Sequence, residues 1–304
     1  MTRHLDVVVI GAGPAGLTAA RVVATAGLSC LLIDKMGPGG QLMNMGEVHD
    51  CPGLDPGTTG PDLLARLVDE TMAAGAGLAV DEVSGINGGS PWQIAASEEY
   101  YTATAIVIAT GLARGNLAVA DEELYEGTGI SYCATCDGPL FAGKRVVVEG
   151  GHDWAVQEAI ELAHVAAHVT VITEYGITAS SDRAAQIAGL ANITLLNGRI
   201  AGIGGEPSLQ KVVIETGTDR ITLAAAGLFP CMRRKPMTSF LKGLLHTTPG
   251  GHIEAGHDQH ASQSGIFACG DVESPAERIA TAIADGGKAG QNAVRWVTSK
   301  VSGV

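Results

Sequence analysis

Two cysteines and an aspartate in the run Ser131-Tyr132-Cys133-Ala134-Thr135-Cys136-Asp137 set the first chemical question. A C-x-x-C is either part of a metal site or a reversible redox pair. Zinc requires further ligands at matching spacing, and Cys30, Cys51, Cys231 and Cys269 form no second C-x-x-C. No metal is expected. What remains is thiol–disulfide exchange: a thiolate attacks a disulfide, and a second thiol nearby resolves the mixed disulfide. Asp137 follows the pair directly and is suited to move a proton as thiolates form and leave. Cys30, Cys231 and Cys269 sit in apolar, strand-like runs and read as buried. Cys51 as a third redox thiol is the weaker alternative.

The elements that must position such chemistry show in the glycine turns. "LDVVVIGAGPAGLTAARVVATAGLSCLLIDK" reads as strand, turn, helix, strand. Gly11 permits the tight turn, Gly13 lets backbone approach a pyrophosphate, and Gly16 lets helix and strand pack closely. Pro14 and Ala15 open the helix, whose N-terminus favours phosphate. Asp34 ends the second strand, where a carboxylate accepts from ribose hydroxyls. The pattern predicts a bound dinucleotide. A second strand–turn–helix–strand follows the cysteines: "KRVVVEGG", "AVQEAIELAHVA", "HVTVIT". Its turn reads Gly150-Gly151-His152-Asp153-Trp154-Ala155, with an imidazole and an indole where small residues belong.

With 304 residues the chain has room for two domains, and its 42 glycines and few aromatics suit an α/β protein with many tight turns. A net charge of −13 gives nucleic-acid binding no global support. No apolar run approaches the roughly 20 residues of a membrane span, and "HLDVVVIGAG" enters a strand without a leader's basic head. No membrane association and a cytoplasmic location are expected.

In order, GAGPAG, GGQL, ATG, CATCDG, the second βαβ and ACGDV resemble the low-molecular-weight thioredoxin reductases over nearly the whole chain. The resemblance implies an α/β protein with two Rossmann-like dinucleotide-binding domains of the three-layer ββα type, the second inserted into the first. Residues 1–112 and 246–304 would form the FAD domain and 113–245 the redox-disulfide domain. "GLARGN" and "KGLLHTTPGG" would be hinges about which one domain rotates, bringing the dithiol alternately to flavin and substrate. One FAD per chain would lie against Gly11, Gly13, Pro14, Ala15, Gly16, Asp34, Lys35, Gly40, Gln41, Leu42, Asp50, Thr110, Gly111, Gly270, Asp271, Arg278, Ile279 and Ala280. Asp271 would hold the ribitol. Cys136 would face the flavin and Cys133 would attack thioredoxin or a thioredoxin-like protein. The resemblance also implies a homodimer.

The chain departs from the family in places. Arg278-Ile279-Ala280 replaces R-Q-A, losing a glutamine that would bond FAD, and His49-Asp50-Cys51-Pro52-Gly53 replaces E-N-aromatic-P-G. In the second turn His152 takes the place of the glycine that touches pyrophosphate. Where NADPH-using relatives carry a basic H-R-R run, this chain has Thr173-Glu174-Tyr175. A carboxylate repels the 2′-phosphate that guanidinium groups would clamp. NADPH is therefore not expected. Gly150, Gly151, His152, Trp154, Glu174 and Tyr175 read as a degenerate nucleotide site, in which Trp154 is either a filler or a stacking surface for a donor or second flavin. The leading expectation is a flavin reductase of thioredoxin fed by ferredoxin or another non-nucleotide donor. A dithiol oxidase passing electrons to oxygen and a non-enzymatic flavin sensor are the alternatives. Arg233, Arg234 and Lys235 form the dense basic cluster that an acidic ferredoxin would meet. His164 and His168 are expected four apart on one helix, without a carboxylate to complete a metal site. "GHIEAGHDQH" at 251–260 is expected to be a surface loop.

Overall fold

The computed structural model describes residues 3–45, 48, 51–113, 115, 117, 119–217, 219–231, 234–274, 276 and 278–301. In chain order the elements begin with β1 (Arg3–Ile10), α1 (Pro14–Thr25), β2 (Cys30–Asp34), α2 (Gly60–Ala73), β3 (Gly77–Val80), β4 (Val83–Gly88), β5 (Trp92–Ala96), β6 (Tyr100–Ile108) and β7 (Leu112–Ala113). Then come α3 (Ala134–Asp137), β8 (Arg145–Glu149), α4 (Asp153–Ala163), β9 (His168–Thr173), α5 (Ser181–Ala188), β10 (Ile193–Asn197), β11 (Arg199–Gly204), β12 (Lys211–Thr216), β13 (Asp219–Ala224) and β14 (Gly227–Pro230). The chain closes with β15 (Lys235–Pro236), β16 (Ile266–Ala268) and α6 (Ile279–Val301). They fall into two compact units, one of residues 1–113 and 235–304, the other of residues 114–234. Asp50, Arg233, His49 and Met232 lie outside the described residues.

In the first unit, a seven-stranded sheet runs β3-β2-β1-β6-β5-β4. The C-terminal part of β6 pairs with β16 in parallel, and its N-terminal part pairs with β5 antiparallel. β1 is apolar on both faces because both are covered. Val7 and Val9 join the core under α1, α2 and α6, while Val8 and Ile10 join the opposite one. Helices α1 and α6 pack through small residues: a Cβ on Gly286 would lie 2.1 Å from the Ala15 carbonyl oxygen, and one on Gly290 would lie 2.7 Å from that of Ala19. Glycine in a helix interior costs roughly 0.5–1 kcal/mol relative to alanine, here offset by the close backbone approach.

The second unit carries a parallel sheet, β10-β9-β8-β14, and an antiparallel one, β11-β12-β13. Its divisions from the first unit differ from those expected at 112/113 and 245/246. The first falls one residue later and the second falls after Arg234. Residues 235–245 belong to the first unit because β15 pairs with β7, and Leu241 and Leu245 are buried in that unit's core. The expected second hinge, "KGLLHTTPGG", is thus internal to one unit.

One histidine expectation is corrected. α4 ends at Ala163, so His164 is its C-cap and His168 begins β9; they do not share a helix face. The 251–260 segment is a surface loop as expected, with Glu254, Gly256, His257 and Asp258 exposed, and it is anchored at its other positions. Ile253 and Gln259 are buried, and the His260 ring meets Phe267 edge-on at 5.1 Å. Among the described residues no group of side chains is arranged to hold a metal, and no helix is long and apolar enough to cross a membrane.

Candidate functional site

In the first unit the sequence-predicted cradle comes together around the start of α1. Gly11 has φ +103°, and a Cβ there would lie 2.3 Å from the Ala109 carbonyl oxygen, so strand and turn require glycine. Gly16 is equally constrained, its virtual Cβ 1.9 Å from the Gly11 oxygen. Gly13 differs: a Cβ there meets nothing within 4 Å among the described residues. Pro14 occupies the first turn of α1, which contains no acidic residue, and Gly13 supplies no side-chain cap. The turn therefore presents open space, unopposed amides and a positive helix end, the arrangement that accepts a pyrophosphate. Gly40, at φ +59°, approaches the same turn, its virtual Cβ 3.5 Å from the Gly13 Cα. Gln41 donates to Asp271 (Nε2 to Oδ2, 3.0 Å), which links two predicted cofactor residues. Thr110 and Gly111 bond Met237, the first through Oγ1 to its carbonyl oxygen at 2.9 Å, the second through its carbonyl to the amide at 3.0 Å. Gly270, at φ +72°, packs on Ala15, with a virtual Cβ 2.8 Å from the Ala15 Cβ. These residues fit FAD.

Six other predicted residues have the following placements. Asp34 accepts the Ala12 and Met36 amides at 2.8 and 2.9 Å, bracing the turn before any ribose does. Lys35 pairs with Glu82 at 3.0 Å on the surface. Leu42 and Ile279 are buried in the helix-side core. Arg278 is exposed and Ala280 half-buried.

In the second unit Cys133 and Cys136 form a disulfide with Cα atoms 5.3 Å apart. Cys133 caps the short α3, its Sγ accepting the Cys136 amide at 3.1 Å. Cys136 is exposed and Cys133 buried. Asp137 accepts from Ser131 Oγ at 2.7 Å, and Ser131 Oγ accepts the Cys133 amide at 3.2 Å, so the aspartate is tied to the pair through one hydroxyl.

The altered turn is built differently from the first. Gly150 keeps the tight bend at φ +123°, with a virtual Cβ 2.7 Å from the Cys231 oxygen, and Gly151 packs on the Gly176 carbonyl. His152 is the N-cap of α4, its Nδ1 accepting the Ala155 amide at 3.3 Å. Asp153 adds a carboxylate in the first helical turn, where it accepts from Ser180 Oγ at 2.8 Å. The indole of Trp154 lies parallel to the His152 ring, centroids 6.2 Å apart, and the Arg234 guanidinium sits over it at 4.0 Å. Arg234, expected in the basic cluster that an acidic ferredoxin would meet, is engaged by an aromatic face, a contact worth roughly 0.5–2 kcal/mol. Glu174 and Tyr175 are exposed past the end of β9. The helix end that would receive a phosphate thus holds its own imidazole and its own carboxylate.

Sequence reasoning missed two carboxylates below this turn. Glu158 is buried on the inner face of α4; it accepts the Ala134 amide at 2.6 Å, and the Trp154 indole N–H favours its charged form. Burial pushes its carboxyl up to about 7, opposed chiefly by the Ala134 bond. Glu149 ends β8; burial, with the nearby Glu174 charge, pushes it up to about 7, and its Oε2 has no partner among the described residues. Burial and these two carboxylates hold the Cys231 thiol well above its usual range, so it stays protonated. A signal for Glu158 existed: it falls in register with Ala155, Ala159 and Leu162 on the apolar stripe.

Residues 5–286 match the family described as pyridine nucleotide-disulphide oxidoreductase. The thioredoxin reductase of Listeria monocytogenes is 35% identical over 301 residues, covering 96% of this chain and 93% of the relative. Among solved structures, Lactococcus lactis thioredoxin reductase in its FR conformation superimposes with a TM-score of 0.90 at 31% identity, covering 97% of this chain and 99% of that one. The T. acidophilum thioredoxin reductase gives a TM-score of 0.88 at 30% identity, covering 98% and 99% respectively.

Proposed function

The chain belongs to the pyridine nucleotide-disulphide oxidoreductase family, among the low-molecular-weight thioredoxin reductases, and on that premise we propose that it is an FAD-dependent reductase of thioredoxin or a thioredoxin-like protein that does not take electrons from NADPH. The observation that carries the proposal is the contrast between two helix ends. At α1 the turn is open and uncapped; at α4 the Ala155 amide is taken by His152, Asp153 supplies a negative charge, and Trp154 lies under Arg234. A dinucleotide phosphate gains little at the second end and is repelled by Glu174.

When bound, FAD supplies the electron pair that reduces the Cys133–Cys136 disulfide. Gly11, Gly13, Gly16 and Gly40 would cradle it, with Gln41 and Asp271 as polar partners. Cys133, as a thiolate, receives the Cys136 amide on Sγ. It attacks one sulfur of the partner's disulfide; a bond forms to Cys133 and the partner's other sulfur leaves as thiolate. Cys136 then attacks Cys133 Sγ, restoring the internal disulfide and releasing the reduced partner. Asp137, held by Ser131, is the acid–base group that moves protons in these exchanges. The electron donor is a carrier other than a pyridine nucleotide, a ferredoxin-type protein in the reading we favour; flavins take electrons singly as well as in pairs.

The test is anaerobic bleaching of the flavin. Millimolar NADPH and NADH should leave it oxidised, while reduced ferredoxin should bleach it and support thioredoxin reduction. Rapid reduction by NADPH overturns the proposal. Peroxide formed from small dithiols, without thioredoxin reduction, would point to an oxidase.

A further inference from the structure

We propose that Glu158 is a positioning residue for the redox pair: its carboxylate, buried and bonded to the Ala134 amide, sets by its charge how readily the Cys133–Cys136 disulfide accepts electrons. The altered turn is thereby linked to the dithiol. The proposal rests on that disulfide being the redox pair and is independent of the donor.

The geometry is direct. Ala134 lies between the two cysteines, and its amide donates to Glu158 Oε2 at 2.6 Å. The Trp154 N–H, one helical turn away on α4, favours the charged carboxylate, and Arg234 covers that indole at 4.0 Å. Arg234, Trp154 and Glu158 therefore link the turn to Ala134 of the C-x-x-C. Glu158 is 4% exposed, so water screens its charge weakly.

Other groups face it from each packed element. On α4 itself, Glu161 repels it and bonds Thr135 of α3 at 2.5 Å. From the segment after β14, Arg234 attracts it and the protonated Cys231 thiol lies near both Glu158 and Glu149 of β8. From α5, Arg183 is engaged with Asp153 at 3.6 Å. Cys133, Cys136 and Asp137 flank Ala134 at α3, and the Ala134 amide is the group bonded to Glu158. Burial makes the neutral form of Glu158 accessible near neutral pH.

Reduction breaks the S–S bond and adds two electrons and two protons, giving two thiols; one then releases a proton to become the attacking thiolate. A charged Glu158 opposes that thiolate, and a neutral Glu158 does not. Glu158 therefore lowers the tendency to accept electrons above neutral pH and leaves it unchanged below.

The experiment equilibrates the FAD-loaded protein with reduced and oxidised dithiothreitol from pH 6 to pH 8.5, then quantifies free thiols by alkylation under denaturing quench and mass spectrometry. Dithiothreitol gives up the two electrons and two protons and closes to its cyclic disulfide. For Glu158→Gln, which retains an acceptor for Ala134, the reduction equilibrium constant should match the wild type at pH 6. At pH 8.5 it should exceed it on the order of tenfold, about 30 mV for a two-electron couple. Trp154→Phe, which removes a donor to the carboxylate, should move the pH at which the wild type departs from the Gln variant upward. A ratio constant across the pH range means a structural role only and overturns the proposal, as does a Trp154→Phe curve superimposed on the wild type. Failure of dithiothreitol to open the Cys133–Cys136 disulfide in either protein would overturn the redox assignment itself.

Discussion

Rebuilding the second turn should create the nucleotide site it lacks. The perturbation is the triple variant His152→Gly, Trp154→Ser, Glu174→Arg. Replacing the imidazole frees the Ala155 amide and returns a helix end to an incoming phosphate, worth up to about 2 kcal/mol when partly buried. Exchanging Glu174 for arginine removes a repulsion and adds a charge-assisted pair with the 2′-phosphate, ~2–3 kcal/mol. Together these give about 4–5 kcal/mol, on the order of a thousandfold in Kd. The gain has a structural cost. Losing the His152 cap and the Trp154–Arg234 stack should lower stability by about 1–3 kcal/mol. Isothermal titration of NADPH into wild type and variant measures the first quantity, and thermal unfolding the second. Binding that strengthens by less than tenfold in a folded, flavin-loaded variant refutes the reasoning, because it would mean that His152 and Glu174 are not what excludes the nucleotide.

Gly13→Ala should fold with a stability change of about 1 kcal/mol or less, since its Cβ enters open space, yet lose flavin; absorbance per chain reads this. Gly16→Ala, whose Cβ would lie 1.9 Å from the Gly11 oxygen, should instead lose several kcal/mol and express mostly insoluble. Cys136→Ser should trap a mixed disulfide with thioredoxin on non-reducing gels and Cys133→Ser should not; the reverse pattern exchanges their roles. Glu149 has its folded pKa raised from 4.5 to about 7, so the folded state binds the extra proton and stability falls as pH climbs through that window. Glu149→Gln should accordingly raise Tm at pH 8.5, by about 5 °C for ~2 kcal/mol, and leave it unchanged at pH 4.5.

What could be read from the sequence was local in its physics. Gly11, Gly13 and Gly16 declare a turn because close backbone approach explains their spacing, and Cys133 and Cys136 declare exchange chemistry because no second C-x-x-C completes a metal site. His152 and Trp154 were visible as departures, though not that the first would cap its own helix. Arg234 read as one of three cations open to an acidic partner because nothing in the sequence places it over an indole eighty residues away. The end of the second unit was misplaced because Leu241 and Leu245, four apart, show that a face is buried but not which unit buries it; only long-range packing assigns them. Glu158 lay on an apolar helical stripe and could have been recognised as a buried carboxylate. Its partner, the Ala134 amide, is a backbone group that no side-chain pattern reveals.

The split of the first unit also orders its birth on the ribosome. Residues 114–234 are synthesised as a complete unit before β16 and α6 exist, whereas β6 emerges early with Ile106, Val107 and Ala105 already placed for a sheet. At about 5–20 residues per second, the remaining stretch to the end of α6 takes on the order of 3–13 seconds. Through that interval the Ile106–Ile108 edge has no β16 beside it, and the Ala15–Ala19 face of α1 has no glycine seam to cover it. A nascent or stalled chain thus exposes a parallel-strand edge rich in branched residues, the kind of surface that pairs with its neighbours on a polysome. Chaperone dependence should concentrate there, and slow codons placed after residue 234 should lengthen the exposure and lower soluble yield.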